Sequence, residues 1–254
     1  MLRIEHALAH LAGTAMPADQ ALARWEALAR DAAGPSFLPP PVATVIGTLL
    51  NHRDALAALG DAVHQPPYKA PPRAPILYIK PRNTHIGHRG AILVPQGVIE
   101  LEMGASLGIV IGSTACRVLE ADAPTFVAGY TVCNDVSIPH ASYYRPSLRF
   151  KCRDSFLPIG PWIVSARHVA NPDALGITVK VDADTVQRSS TAGMLRSAAR
   201  LIAEISDFMT LSPGDVLMLG VPGGAPRARA GQRVSITIDA VGTLENQLVA
   251  EQPA

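Results

Sequence analysis

LGIVIGSTACRV, residues 107–118, is the stretch on which the fold turns. Four apolar or glycine residues in a row followed by Ile111 and Gly112 leave no polar face. A run of this length reads as a strand buried on both sides that ends in a glycine turn. Working outward, similar β-branched runs occur at 43–50 (ATVIGTLL), 76–80 (ILYIK), 91–95 (AILVP), 127–133 (VAGYTVC), 162–165 (WIVS), 177–183 (ITVKVDA), 216–220 (VLMLG) and 234–239 (VSITID), separated by turn residues. Two helices interrupt them. One is short and follows Asn51. The other spans 192–208, with Thr191 as N-cap and Met194, Leu195, Ala198, Leu201, Ile202 and Ile205 as the buried stripe. Strands and helices do not alternate, which argues against Rossmann and TIM architectures. The expected class is mixed α/β and β-rich.

Before this body, residues 17–32 place Leu22, Trp25, Leu28 and Ala29 on one helical stripe after Pro17. The prolines of AGPSFLPPPV at 33–42 end that helix and make a linker. The division is therefore a small N-terminal helical extension, 1–42, and one domain, 43–254. The proline-rich QPPYKAPPRAP at 65–75 reads as an extended surface connector.

A formal charge of +1 with 17% charged residues gives no basic stripe for nucleic acid, so a small-molecule partner is expected. Arg3, Glu5, His6 and His10 interrupt the amino-terminal apolar residues where a signal peptide needs continuity. No stretch reaches the roughly 20 apolar residues of a membrane span, so a cytoplasmic protein is expected. Cys116, Cys133 and Cys152 are odd in number and widely spaced, and read as reduced packing residues.

Five segments, LGIVIGSTACRV, AGYTVCNDVS (128–137), KCRDSFLPIGPWIV (151–164), LSPGDVLMLGVPGG (211–224) and GQRVSITIDAVGTLEN (231–246), occur in the order that resembles the fumarylacetoacetate hydrolase family. The resemblance covers roughly residues 43–248 and implies a mixed β-roll of curved sheets. LNHRDAL, QPPYKAPPRAPILYIKPRNTHIG and YYRPSLRFKCRDSF are similar to a narrower group within it. That group decarboxylates 5-oxopent-3-ene-1,2,5-tricarboxylate and isomerises 2-hydroxyhepta-2,4-diene-1,7-dioate in 4-hydroxyphenylacetate (homoprotocatechuate) catabolism, and the match is to the amino-terminal half of its fused enzymes. The resemblance implies an active decarboxylase/isomerase. The alternative is a catalytically degenerate structural or regulatory subunit that pairs with a metal-competent homologue. A homodimer, or a heteromer with a homologous chain, is implied as well.

The family's chemistry holds a keto acid as its enolate, with Mg²⁺ as Lewis acid on carboxylate ligands. Two of those ligands are glutamates eight and six residues before the glycine of the VIG turn, here Gly112. The corresponding positions are Gly104 and Ser106, so Asp135 remains as the metal ligand, implying weakly held Mg²⁺ or none. Glu100 and Glu102 form an ExE pair four residues earlier, displaced by roughly 13 Å along an extended strand, and are expected as a solvated strand face. The hydrolase members' His/Glu pair falls on Ala55 and Ala58, and His52 is expected to be structural. The implied catalytic residues are Lys151 and Asp135. For substrate binding the match implies Lys80, Arg82, Tyr144, Arg145 and Arg153, with Arg153 alternatively pairing with Asp154. Gly220, Val221 and Pro222 fall on the family's carboxylate-binding turn, where Val221 replaces the usual threonine.

Overall fold

The computed structural model describes residues 39–40, 42–140, 144 and 148–252. The helix expected at 17–32 and most of the linker lie outside the described residues. The described chain begins with β1 (Val45–Leu49), α1 (Arg53–Ala57), β2 (Ile76–Lys80), β3 (His85–Ile86) and β4 (Ala91–Val94). It continues through β5 (Leu101–Glu102), β6 (Ala105–Ile111), β7 (Val127–Asn134), α2 (Leu148–Lys151) and β8 (Leu157–Ser165). Then come β9 (Gly176–Val181), β10 (Asp184–Ser190), α3 (Ala198–Ser206), β11 (Val216–Met218), β12 (Arg227–Ala228), β13 (Arg233–Ile238) and β14 (Gly242–Ala250).

The strands form a seven-stranded sheet in the order β2-β1-β11-β6-β7-β8-β3 and a five-stranded sheet in the order β10-β9-β13-β14-β4. A two-stranded ribbon, β12-β5, stands apart. Every residue of β6 is buried, as its unbroken apolar run requires. Its alternation sends Leu107, Ile109 and Ile111 into the main core, which they share with Val179, Ile236 and Leu244 of the smaller sheet. Val110 faces the other way, into a second cluster with Val45, Tyr78, Cys133 and Leu157. The functional groups gather beside this second cluster.

The long helix is shorter than the sequence suggests. Ser197, not Thr191, caps α3, accepting from the Arg200 N–H at 3.1 Å. Residues before it are drawn away by tertiary bonds: Met194 bridges to His52, and the Leu195 N–H donates to the Asn51 carbonyl at 2.8 Å. Thr191 instead opens a 3₁₀ turn and accepts from the Leu175 N–H. Leu195 thereby leaves the buried stripe and is 36% exposed, while Leu201, Ile202 and Ile205 are fully covered. The strands β10 and β14 escape notice in sequence because exposed polar residues break their apolar pattern.

Leu107→Ala therefore lowers unfolding free energy by about 2–5 kcal/mol, whereas Leu195→Ala costs less than about 1 kcal/mol. Denaturant unfolding of both variants checks this, and equal losses would contradict the assignment of the two positions.

Candidate active site

Alternation along β7 turns Cys133 and the residue just past the strand, Asp135, toward the same side. The ladder continues past the strand end, with the Asp135 N–H donating to the Gly104 carbonyl at 2.8 Å. On β2 the same alternation pairs Tyr78 with Lys80. Tyr78 lies opposite Gly47 of β1, and a Cβ on Gly47 would sit 2.1 Å from the phenol ring. The ring lies where a side chain on residue 47 would be, and reaches Asp135.

Asp135 is buried and clamped by three groups. Its Oδ2 accepts from the Tyr78 hydroxyl and from Lys151 Nζ at 2.7 Å. Lys80 Nζ lies 2.8 Å from Oδ1. Lys80 also donates to the carbonyls of Val136 (2.9 Å), Lys151 (2.6 Å) and Phe156 (2.8 Å). An ammonium has three protons, and three carbonyls take them. The same ammonium closes a buried ion pair with Oδ1. Lys151 Nζ also stands 5.1 Å from the centroid of the Tyr78 ring, within cation–π range.

Burial alone would raise the Asp135 carboxyl, but the ammoniums of Lys151 and Lys80 overcome it and hold the group well below the usual carboxylate range. Because the folded value lies below the unfolded value of about 4, its stabilisation is complete at neutral pH. It is lost only as pH falls through that region and below. Burial lowers Lys80 to about 8 despite Asp135, so it stays cationic at pH 7. Burial, reinforced by Asp135, raises Tyr78 well above the ordinary phenol value and keeps it a neutral donor.

Asp135 and Lys151 open onto a cavity of about 480 Å³, within the size range of small-molecule sites. Val221 and Pro222 form part of its wall. Their turn is fixed from three sides. Gly220, at φ +136°, donates its N–H to Ser106 Oγ at 3.1 Å. Gln187 Nε2 donates to the carbonyls of Gly223 and Gly224 at 3.0 and 3.3 Å. Asn51 Nδ2 donates to the Leu219 carbonyl at 2.7 Å. Ala55 and Ala58, where the resemblance implies the hydrolases' acid–base pair, lie on the same wall. Ser137 and His140 line it as well.

Several expected residues sit elsewhere. Lys80 is not a substrate-facing cation: its side chain is 0% exposed and its protons are committed to carbonyls. Arg82 is exposed on a 3₁₀ turn and does not line the cavity. Tyr144 is exposed, edge-on to Tyr68, and is also absent from the wall. Arg145 lies outside the described residues. Arg153 lines a separate cavity of about 220 Å³, and its expected partner Asp154 accepts from Asn83 Nδ2 instead. His52 is buried, with Nδ1 accepting from the Asp54 N–H and Nε2 3.4 Å from the Ser190 carbonyl.

Glu100 and Glu102 are not simply solvated. Arg227 Nη1 donates to Glu100 at 2.6 Å, Arg229 stands 3.6 Å from Glu100, and Arg227 Nη2 stands 3.8 Å from Glu102. The ladder that pairs Gly104 with Asp135 continues to Glu102 and Ser137, which brings Glu102 onto the cavity wall. Sequence reasoning missed Tyr78, Ser106 as an acceptor, Gln187 and Arg227. The alternation of Tyr78 with Lys80 was a usable signal for the first. The others depend on distant pairings.

A resident Mg²⁺ does not fit this donor set. Gly104 and Ser106, where the resemblance implies glutamates, carry no carboxylate, and the Ser106 hydroxyl accepts from the Gly220 N–H. A Cβ at residue 104 would meet the Asp135 carbonyl oxygen at 2.6 Å and Val221 Cγ2 at 3.0 Å, so an acidic side chain has no room on this backbone. Two ammoniums already stand within 3 Å of Asp135. Among the described residues no group of three or more His, Cys, Asp or Glu converges.

Replacing Lys80 by Met would strip Asp135 of one counter-charge and orphan three carbonyls. We expect a loss of about 3–5 kcal/mol in denaturant unfolding. A loss under about 1 kcal/mol would show that the clamp is not structural.

The pattern described as "Fumarylacetoacetate (FAA) hydrolase C-terminal" matches residues 44–249. The Escherichia coli 4-hydroxyphenylacetate degradation bifunctional isomerase/decarboxylase is 41% identical over 209 residues, covering 82% of this chain and 48% of that protein. The chain thus spans about half the length of the bifunctional isomerase/decarboxylases it matches. The solved 5-carboxymethyl-2-hydroxymuconate delta-isomerase of Mycobacterium smegmatis is 32% identical with a TM-score of 0.72, covering 85% of this chain and 82% of that one. The 2-hydroxyhepta-2,4-diene-1,7-dioate isomerase of Mycobacterium marinum is 29% identical with a TM-score of 0.69, covering 85% and 79%. With four-fifths of its length carrying the family's pattern and its strands folded as in these isomerases, this chain belongs to the fumarylacetoacetate hydrolase family.

Proposed function

We propose that the chain is a decarboxylase/isomerase of small unsaturated 2-oxo or 2-hydroxy diacids, working through Lys151 and Asp135 without a resident divalent cation. The observation that carries this reading is the pairing of Lys151 Nζ with Asp135 at 2.7 Å on the wall of the 480 Å³ cavity. The names of the isomerase relatives support the substrate class.

The two reactions share one dienolate. In decarboxylation of 5-oxopent-3-ene-1,2,5-tricarboxylate, the bond to the second carbon's carboxylate breaks and carbon dioxide leaves. The electron pair runs through the double bond onto the keto oxygen. In isomerisation of 2-hydroxyhepta-2,4-diene-1,7-dioate, the enol proton leaves, the same dienolate forms, and a proton is added at the fifth carbon. Both need a fixed positive donor at the oxygen that gains charge. Of the three Lys151 protons, Asp135 takes one, and among the described residues the other two have no acceptor assigned. Asp135 keeps the ammonium charged and aimed. With Ala55 and Ala58 where the resemblance implies the hydrolases' His/Glu pair, that pair does not serve to activate water for carbon–carbon hydrolysis here.

Those same alanines, and the half-length match, also favour a second reading: a structural or regulatory subunit that supports a homologous catalytic domain. The same measurement separates the two. Turnover of the tricarboxylate and the dioate by the purified chain, followed by carbon dioxide release and hydroxydiene absorbance, should persist in excess EDTA. Lys151→Met, verified as folded by circular dichroism, should lower kcat at least about 100-fold. Strict dependence on Mg²⁺, or full activity in Lys151→Met, would contradict the proposal. Activity seen only on mixing with a homologous chain would establish the second reading.

A further inference from the structure

We propose that Arg227 reads the distal carboxylate of the diacid, with Glu100 and Glu102 as its resting counter-ions; this rests on the substrate class proposed above. A diacid bound at Lys151 needs a second cation for its far end. Among the described residues of the cavity wall, Lys151 and Arg227 are the two lysine or arginine side chains. Arg227 is also placed for exchange with a ligand. Its side chain is 54% exposed, and it is set on the β5-β12 ribbon by the pairing of Arg227 with Glu102.

The guanidinium is occupied lightly. Among the described residues its single hydrogen bond runs from Nη1 to Glu100, whereas Nη2 stands 3.8 Å from Glu102, an ion-pair distance beyond hydrogen bonding. Five N–H donors in a planar fork leave an edge for bidentate contact with an incoming carboxylate. Glu102 is in turn approached by Ser137 Oγ at 3.4 Å, and Glu100 by Arg229 at 3.6 Å, so each acid keeps a partner when Arg227 turns to the ligand. The arrangement discriminates in both directions. A monoacid has nothing to offer Arg227, and a diacid must outcompete Glu100 for it.

The test is calorimetric binding to the full chain with heptanedioate and heptanoate, which share a carbon count and differ by one carboxylate. Because no turnover is required, its outcome is separate from that of the catalytic assay. Wild-type protein should bind heptanedioate at least tenfold more tightly than heptanoate. Arg227→Leu should erase that preference while leaving heptanoate affinity unchanged, and Glu100→Gln should strengthen heptanedioate binding. A retained preference in Arg227→Leu, an equal loss for both ligands, or a wild-type protein without preference would each overturn the assignment. A purely structural role for Arg227 predicts no gain from Glu100→Gln.

Discussion

The site rests on one buried carboxylate that two ammoniums counterbalance and a phenol hydrogen-bonds. Asp135 draws together the end of β7, the β2 side chains Tyr78 and Lys80, and Lys151 at the end of α2. Lys80 does more than balance charge, because it binds three main-chain carbonyls from the segments that flank the site. A buried ammonium with every proton accounted for is a rigid support, and removing it costs more than forming it gains. The cavity wall inherits that rigidity.

The lost acidic residues are easier to understand in terms of charge. The resemblance implies a divalent cation and two glutamates at positions here occupied by Gly104 and Ser106. Removing a doubly positive ion together with two negative side chains leaves the net charge around Asp135 and the lysines unchanged. The backbone is consistent with that arrangement: Gly104 packs where a Cβ would strike the Asp135 carbonyl, and Ser106 accepts from the Gly220 N–H. In the function proposed above, positive charge for a developing enolate comes from Lys151. That ammonium is already held by Asp135 at 2.7 Å, the fixed geometry that this proposal needs.

Much of the fold was legible because burial imposes a simple pattern. The β6 run could only be a strand covered on both faces, and the turn at Gly112 set the alignment that left Asp135 alone among the expected ligands. The polar, exposed strand β10 carried no such signal. The start of the long helix was misplaced because Leu195 is claimed by Asn51, over a hundred residues away in sequence. In the site, residue types were readable and their roles were not. Lys80 was a cation in a matching motif, but nothing local reveals that three carbonyls surround it. Glu100 and Glu102 looked solvated because Arg227 and Arg229 arrive from a distant strand. Long-range pairings decide such roles, and a one-dimensional reading has no access to them.

The central claim is that Asp135 is an ionised, protein-neutralised carboxylate and not a metal ligand. Its side-chain carboxyl resonance, followed by carbon-13 NMR against pH and added Mg²⁺, tests this most directly. The resonance should show no titration across the ordinary carboxylate range near pH 4 and no response to millimolar Mg²⁺. A midpoint near that value, or a saturable shift on adding Mg²⁺, would contradict the account.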